Sequence, residues 1–322
     1  MSLEMFKHLN KVFAIGVDIG GSHVCSALVN LLDGQVVPES FFETKVDPHA
    51  SASEIVGHWG DCIKQSAKVV GDATISAIGI AMPGPFDYVN GISHIAGVGK
   101  FDRLFGLNIA RALANELKQL DNIPIRFVND ASAFAIGEAW AGVAKGYGRT
   151  VSITLGTGFG SSFLQGGVPL SSGADLPENG WVYCLPYQDS IADDYFSTRW
   201  FVGQYKKMSG IDVFGVRQMM EQTDTQPVVD AIFEDFGIRL ADFMAPLLKR
   251  FEADILVLGG NISNAYPLFA PYFTGQLRKN GVAIEVGVSK LQDSAAITGA
   301  ARLCNDDFYC KLVDTQLENI AK

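Results

Sequence analysis

The chain carries two stretches of the same construction, Val12-Phe-Ala-Ile-Gly-Val-Asp-Ile-Gly-Gly-Ser-His-Val-Cys-Ser-Ala-Leu28 and Thr150-Val-Ser-Ile-Thr-Leu-Gly-Thr-Gly-Phe-Gly-Ser-Ser-Phe-Leu164. Each consists of an apolar, β-branched run, a turn without bulky side chains and a second apolar run. Such a unit presents backbone N–H groups where no side chain blocks the approach of an anion. The pair therefore predicts two halves of a protein that close on one nucleotide.

The two turns differ from other nucleotide-binding motifs. A dinucleotide fingerprint needs G-x-G-x-x-G running from a strand into a helix, whereas these turns run into a second strand. Gly97-Val-Gly-Lys100 resembles a P-loop, but Phe101 stands where a Ser or Thr would bind magnesium. One glycine cluster alone is also typical of an ordinary hairpin, so the prediction depends on both turns together.

The composition predicts a soluble enzyme of roughly two domains. The chain has 322 residues, 48% of them hydrophobic, and its 35 acidic and 25 basic side chains give a net charge of −10. A stripe of Lys and Arg that would mark a nucleic-acid surface is missing. The five cysteines form no CxxC pair, no apolar run approaches the ~18 residues of a membrane span, and the first residues lack a signal-peptide core. We expect a cytoplasmic protein.

The predicted elements follow the same plan in both halves of the chain. The first half begins with strands Val12–Val17, Val24–Leu31 and Val36–Thr44, and helices and buried strands follow. This order is typical of a pair of α/β domains with mixed sheets. We place an N-terminal domain at residues 1–128, a C-terminal domain at 129–303, and at 304–322 a segment that packs back on the first domain.

Six motifs, in this order, resemble those of the ROK (repressor, open reading frame, kinase) family of sugar kinases. They are Asp18-Ile-Gly-Gly-Ser, Met82-Pro-Gly-Pro-Phe-Asp, Val128-Asn-Asp-Ala, Leu155-Gly-Thr-Gly-Phe-Gly, Val257-Leu-Gly-Gly-Asn and Leu291-Gln-Asp-Ser-Ala-Ala-Ile-Thr-Gly-Ala-Ala. The resemblance implies the actin-like ATPase (ribonuclease H-like) fold, with two α/β domains and a nucleotide cleft between them. It also implies ATP with Mg²⁺ and transfer of the γ-phosphoryl group to a hexose hydroxyl.

Asp130 is the candidate general base for that transfer. It follows the predicted strand Ile125–Val128, at the carboxyl edge of a sheet where α/β proteins bind ligands, and it opens the predicted helix Ala131–Trp140. A carboxylate there would take the proton of the acceptor hydroxyl. The position also suits a helix N-cap, and that alternative stays open.

The resemblance assigns roles to the residues around these motifs. Asn129 would hydrogen-bond a neighbouring sugar hydroxyl or be a plain turn amide, and Asp18 would orient Mg²⁺ through water or cap the first turn. Residues of three glycine turns are expected to bind ATP, although the third turn could equally start a helix without any ligand. These residues are Gly20, Gly21, Ser22, Gly156, Thr157, Gly158, Gly259, Gly260 and Asn261.

The expected sugar site departs from the family pattern. Gly84, Asn129, Asp130, Glu178 and Asp193 are expected to bind the sugar, with Asp194 as the alternative to Asp193. Members of the family usually carry Glu-x-Gly-His followed by a cysteine-rich zinc cluster, and here Trp181 replaces that histidine. Cys184 is the one cysteine nearby, and a closed zinc site needs four ligands. We therefore expect no structural zinc and a loop, Gly166 to Asp194, held by apolar packing around Trp181, Val182, Tyr183 and Leu185.

The reaction that we expect is phosphorylation of glucose by ATP. An N-acetylhexosamine kinase acting on mannosamine or glucosamine derivatives, or a fructokinase, is the alternative. Two further alternatives are a catalytically degraded sugar-binding regulator and a repressor. The repressor requires a helix-turn-helix before the first strand, where only about 11 residues stand. We expect a sugar as the small-molecule partner, no nucleic-acid or membrane partner, and a homodimer.

Overall fold

Strands β1, Phe13–Ile19, and β2, His23–Asn30, form the first glycine-turn unit. They pair antiparallel with Asp18 opposite Cys25, and all residues of β1 except Asp18 are buried. The turn between them is closed by the Gly20 N–H, which donates to the His23 carbonyl at 2.9 Å. The turn therefore stands at the end of a buried strand, as the sequence predicts.

The computed structural model describes residues 13–69, 75–97, 99–120 and 122–320, with side chains through residue 316. The chain forms two compact units. Within the described residues, the first unit takes the chain up to Lys145 together with Asp293–Asp314, and the second takes Gly146–Gln292 and the residues from Thr315. No described helix is both long enough and apolar enough to cross a membrane.

The first unit contains a five-stranded mixed sheet with the strand order β3-β2-β1-β4-β7. Its register aligns Asp18 with Ala81 and Ala81 with Val128, so the carboxyl ends of the parallel strands β1, β4 and β7 meet at one edge. The further strands of this unit are β3 (Phe42–Lys45), β4 (Ile75–Met82), β5 (Phe86–Asp87), β6 (Ile92–Ser93) and β7 (Ile125–Asn129).

The second unit repeats this plan with the strand order β10-β9-β8-β13-β14. Strands β8 and β9 form the second glycine-turn unit, and β13 and β14 run parallel to β8. The strands are β8 (Arg149–Leu155), β9 (Phe159–Gln165), β10 (Val168–Pro169), β11 (Pro186–Tyr187), β12 (Ser190–Ile191), β13 (Ile255–Gly259) and β14 (Glu285–Val288). Two mixed five-stranded sheets with helices confirm the predicted α/β fold class.

The helices connect the strands of the two sheets and contribute to the buried cores of both units. In chain order they are α1 (Ala52–Lys68), α2 (Ile109–Glu116), α3 (Asp130–Ala141), α4 (Ala192–Tyr195), α5 (Thr198–Ser209), α6 (Val216–Met220), α7 (Gln226–Phe251), α8 (Tyr266–Lys279), α9 (Ser294–Arg302) and α10 (Asp306–Ile320). Helix α1 begins at a capping box in which Ser51 and Glu54 bond each other's backbone N–H.

Helix α9 lies in direct backbone contact with its neighbours in the first unit. A Cβ added to Gly79 of β4 would lie 1.8 Å from the carbonyl oxygen of Ala300, and one added to Gly16 would lie 2.0 Å from that of Ile297. On the α3 side, a Cβ on Gly299 would lie 1.8 Å from the carbonyl oxygen of Ala133. Glycine is thus required at these three positions because two backbones approach there without side chains between them.

Several elements differ from the prediction. The strand expected over Val36–Thr44 is confined to β3, because Pro38 begins a short 3-10 turn, Pro38–Ser40, before it. The boundary expected after Val128 differs from the observed division at Lys145, since α3 packs against α9 in the first unit. The C-terminal segment is helical in α10. It begins on the first unit, where Arg126 donates to the Asp306 carboxylate at 2.6 Å.

The loop Gly166 to Asp194 is partly held by apolar packing. Val182 is fully buried and Leu185 packs against the second unit's core, whereas Tyr183 is 41% exposed and Trp181 is half-buried. The Trp181 ring lies 6.1 Å from that of Tyr183. Packing around Val182 and Leu185 therefore agrees with the expectation, and the placement of Tyr183 does not.

Candidate active site

Asn129, and not Asp130, caps helix α3. The Asn129 Oδ1 accepts the N–H groups of Ala131 at 3.1 Å and Ser132 at 3.3 Å, while Asp130 is the first residue of the helix. The Asp130 Oδ1 accepts the Ala131 N–H at 2.8 Å. The alternative of Asp130 as the N-cap is therefore wrong, because the adjacent amide already fills that role.

Tyr88 holds the amide of Asn129, and sequence reasoning missed it. The Asn129 Nδ2 donates to the Tyr88 hydroxyl at 3.3 Å, and that hydroxyl donates to the Met82 carbonyl at 3.1 Å. A Cβ on Gly84 would lie 3.2 Å from the same hydroxyl oxygen. Gly84, Tyr88 and Asn129 thus lie together at the carboxyl edge of β4 and β7, although no sequence spacing links Tyr88 to Asn129.

Two carboxylates in the first unit act on the carboxyl group of Asp18. Burial, followed by the negative charges of Asp130 and Asp293, raises the pKa of Asp18 to about 7. Asp293, which directly precedes α9, belongs to the sixth sequence motif but was not predicted as a site residue. Negative charges near a buried carboxyl group favour a cation or a bound proton at that group.

Asp130 has the electrostatic surroundings expected of a general base. The residue as a whole is exposed, whereas its carboxyl group is enclosed. Burial of the carboxyl group is the largest influence on the pKa of Asp130 and raises it above the ordinary aspartate value. The Ala131 N–H and the positive charge of Lys100 act in the opposite direction. A raised pKa brings a carboxylate closer to the range in which proton transfer is efficient.

Two nitrogen-bearing side chains lie over the first glycine turn. A Cβ on Gly20 would lie 2.9 Å from the His23 ring, and one on Gly21 would lie 3.4 Å from the Lys100 Nζ. His23, the first residue of β2, is half-buried. The atoms nearest to these two positions therefore belong to side chains and not to the backbone.

The second glycine turn has open space beside Gly156. A Cβ on Gly156 would meet no atom within 4 Å, and neither Gly156 nor Gly158 has a positive φ. Thr157 and Gly158 are exposed. The fold therefore does not require glycine at Gly156, which fits a turn kept bare for a ligand.

Asp193 supports this turn. Its Oδ1 accepts the Phe159 N–H at 2.7 Å, and its Oδ2 pairs with Arg199. Asp194 accepts from the Ser190 hydroxyl and lies 3.4 Å from Arg199. Both oxygens of Asp193 thus have protein partners, so the structure brings this residue to the second glycine turn; its predicted role in sugar binding stays a prediction.

The third glycine turn is required by the fold itself. Gly260 follows β13 with a φ of +78°, and a Cβ there would lie 2.4 Å from the Leu155 carbonyl oxygen at the end of β8. Asn261 begins the short 3-10 helix Asn261–Ala265 that leads into α8. Gly259, Gly260 and Asn261 thus lie beside the second turn, and the glycine at Gly260 has a structural reason.

Glu178 lies in a 3-10 turn on the loop before α4, where it is exposed, and its carbonyl accepts the Trp181 N–H at 3.0 Å.

Within the described residues, no three His, Cys, Asp or Glu side chains are arranged to hold a metal ion. A separate groove of about 440 Å³ in the second unit is lined by Gln188, Asp189, Tyr195, Trp200, Gln204 and Arg239, none of which is a predicted site residue.

Comparison with known proteins agrees with this arrangement. The model of the ROK family matches residues 14–307. The chain belongs to the ROK family. The match contains all six sequence motifs, and it confirms the resemblance on which the site residues were assigned.

Relatives within the ROK family include two kinds of sugar kinase. The glucokinase of Thermotoga maritima is 27% identical over 92% of this chain and 98% of its own length. The N-acetyl-D-glucosamine kinase of Haemophilus influenzae is 23% identical over 89% of this chain and 98% of its own. Among solved structures, the ROK glucokinase of Streptomyces griseus in complex with glucose and AMPPNP has a TM-score of 0.71 at 20% identity, covering 90% of this chain and 98% of that one. The likeness confirms the actin-like ATPase fold expected of a ROK kinase.

Proposed function

We propose that the protein transfers the γ-phosphoryl group of ATP to a hydroxyl of glucose, with Asp130 as the general base. The relatives bear out the class of enzyme, a sugar kinase. The proposal that Asp130 is the general base rests on the position of this residue. It follows β7 at the sheet edge that also holds Asp18, and Asn129 rather than Asp130 caps the helix.

The reaction follows from this geometry. The sugar oxygen forms a bond to the γ-phosphorus, the bond from that phosphorus to the bridging β-oxygen breaks, and ADP leaves with the electron pair. The hydroxyl proton passes to the Asp130 carboxylate. The hydrogen bond between Asn129 and Tyr88 holds the Asn129 amide in place beside Asp130. We propose that this fixed amide orients the acceptor hydroxyl.

Magnesium fits the carboxylates of the first unit. Burial, followed by the negative charges of Asp130 and Asp293, raises the pKa of Asp18 to about 7, and a divalent cation nearby would stabilise the ionised carboxylate. We propose that Asp18 orients Mg²⁺ through water, since Mg²⁺ usually keeps several waters. When bound, the ion would neutralise charge on the phosphates.

An N-acetylhexosamine is the second candidate acceptor. The 23% identical relative named N-acetyl-D-glucosamine kinase favours it. Trp181, which replaces the histidine of the family pattern, lies half-buried next to Glu178 and Gly180 on the expected sugar loop. An indole can pack against the face of a sugar or against the rest of the loop, so the choice of acceptor rests on measurement.

A panel of sugars tests the proposal. ADP release from ATP and Mg²⁺ is measured with glucose, fructose, mannose, N-acetylglucosamine and N-acetylmannosamine, each against a sugar-free control. We expect the highest kcat/KM with glucose. A higher value with an N-acetylhexosamine would replace glucose by the second candidate. Release at the sugar-free rate throughout the panel would identify a degraded sugar-binding protein instead.

We expect Gly156→Ala to weaken ATP binding about tenfold without unfolding the protein. The added methyl group meets no protein atom within 4 Å but occupies the space that we assign to a phosphate. Loss of one hydrogen bond to a charged group costs about 1.5 kcal/mol, which corresponds to about tenfold in affinity. Titration calorimetry with AMPPNP and Mg²⁺ measures the change.

Gly260→Ala is the matched control. Its added Cβ would lie 2.4 Å from the Leu155 carbonyl oxygen, so this variant should lose thermal stability, which Gly156→Ala should keep. A Gly156→Ala protein that is stable and binds AMPPNP as the parent does would show that the second turn holds no phosphate.

A further inference from the structure

Lys100 has no part in the function proposed above. It lies on the segment between β6 and α2 and is exposed, and its charge lowers the pKa of Asp130. Its ammonium group also lies close to the first glycine turn, 3.4 Å from where a Cβ of Gly21 would stand. The ammonium group thus lies beside the turn that is expected to bind phosphate and within electrostatic range of the candidate base.

The backbone beside Lys100 is firmly anchored. Phe101 is fully buried, its N–H donates to the Pro48 carbonyl at 2.9 Å, and its ring meets that of Trp59 edge to face at 5.6 Å. Phe101 also takes a left-handed φ of 60°, which turns the chain sharply at this point. Residue 100 is therefore held at a defined place rather than carried on a free surface loop.

The positive charge of Lys100 lies among negatively charged groups of the first unit. Asp130 and Asp293 lie within electrostatic range of Asp18, and the whole chain has a net charge of −10. A triphosphate would be repelled from three carboxylates unless positive charge lies beside it. The ammonium group of Lys100 reaches the turn where the phosphates are expected to lie.

We propose that Lys100 binds the γ-phosphoryl group of ATP beside the Gly20–Gly21 turn and remains on it during transfer to the acceptor. This inference rests on the proposed function, which supplies ATP as the phosphoryl donor. The lysine keeps its proton throughout, since the proton of the acceptor hydroxyl goes to Asp130. Its charge offsets the charge of the equatorial phosphoryl oxygens and keeps Asp130 ionised before the reaction.

The test compares two nucleotides that differ in the γ-phosphate. Lys100→Met should raise the dissociation constant of AMPPNP with Mg²⁺ about tenfold, because the variant loses one hydrogen bond to a charged group. The constant for ADP with Mg²⁺ should stay within about twofold, since ADP lacks the group that Lys100 contacts. Turnover with the best sugar of the panel should fall about 10²-fold, which is typical when one hydrogen-bond donor to the transition state is removed. Lys100→Arg, which keeps the charge, should recover most of the affinity for AMPPNP.

Arg103→Met is the matched control, because Arg103 is an exposed cation on the same segment. It should change neither dissociation constant nor turnover. If Lys100→Met keeps the parent's ratio of AMPPNP to ADP affinity, or turns over like the parent, the inference is wrong. A parent that phosphorylates no sugar would overturn the proposed function alone, since the comparison of AMPPNP with ADP still reports on Lys100.

Discussion

Asp130→Asn will lose turnover by on the order of 10²–10⁴-fold, the range typical of a missing general base. The amide keeps the shape of the carboxylate and an oxygen to accept the Ala131 N–H, but it cannot take the acceptor proton. Helix α3 keeps its cap, because Asn129 provides it. The loss should therefore appear in kcat, with an unchanged thermal midpoint and an AMPPNP affinity within about twofold of the parent's.

Asp61→Asn serves as the control for the loss of one negative charge. Asp61 lies on α1 in an exposed pair with Lys64, and its substitution should leave kcat unchanged. Steady-state rates with the best sugar of the panel measure both variants. Turnover of Asp130→Asn at the parent's rate would show that Asp130 is only the first residue of a helix, and the proposed mechanism would be abandoned.

Gly79→Ala will destabilise the first unit by about 3 kcal/mol or more, at the upper end of the cost of overpacking a core. The new methyl group would lie 1.8 Å from the Ala300 carbonyl oxygen, and a backbone group cannot move aside as a side-chain tip can. Helix α9 would have to shift away from β4, and its contacts with β1 and α3 would loosen with it. Urea unfolding followed by far-UV circular dichroism measures the change.

Gly57→Ala is the control for adding one methyl group. Gly57 lies inside helix α1, where an added Cβ would meet nothing within 4 Å, so this variant should gain about 0.5–1 kcal/mol. Equal urea midpoints for Gly79→Ala and the parent would show that α9 adjusts freely, contrary to the close packing described here.

Local patterns predicted the elements that depend on neighbouring residues. The two glycine-turn units appear as β1 with β2 and β8 with β9, since β-branched runs around a bare turn favour hairpins wherever they occur. The strand expected over Val36–Thr44 was too long, because apolar alternation outweighed the effect of Pro38. Asn129 and Asp130 are both good N-cap residues, so propensity alone could not choose between them.

The sequence by itself determined the family, the α/β class and the order of the motifs, because these depend on residues close together in the chain. Only the tertiary structure brought Tyr88 to Asn129, and Lys100 and Asp293 to the surroundings of Asp18 and Asp130. It also gave Asp193 its contact with the second glycine turn. These pairs lie far apart in sequence and have no periodicity to mark them. Tyr88 meets Asn129 because parallel strands bring distant segments to one edge of a sheet, and the loop before α4 brings Asp193 to the second turn. No local pattern records either consequence of packing.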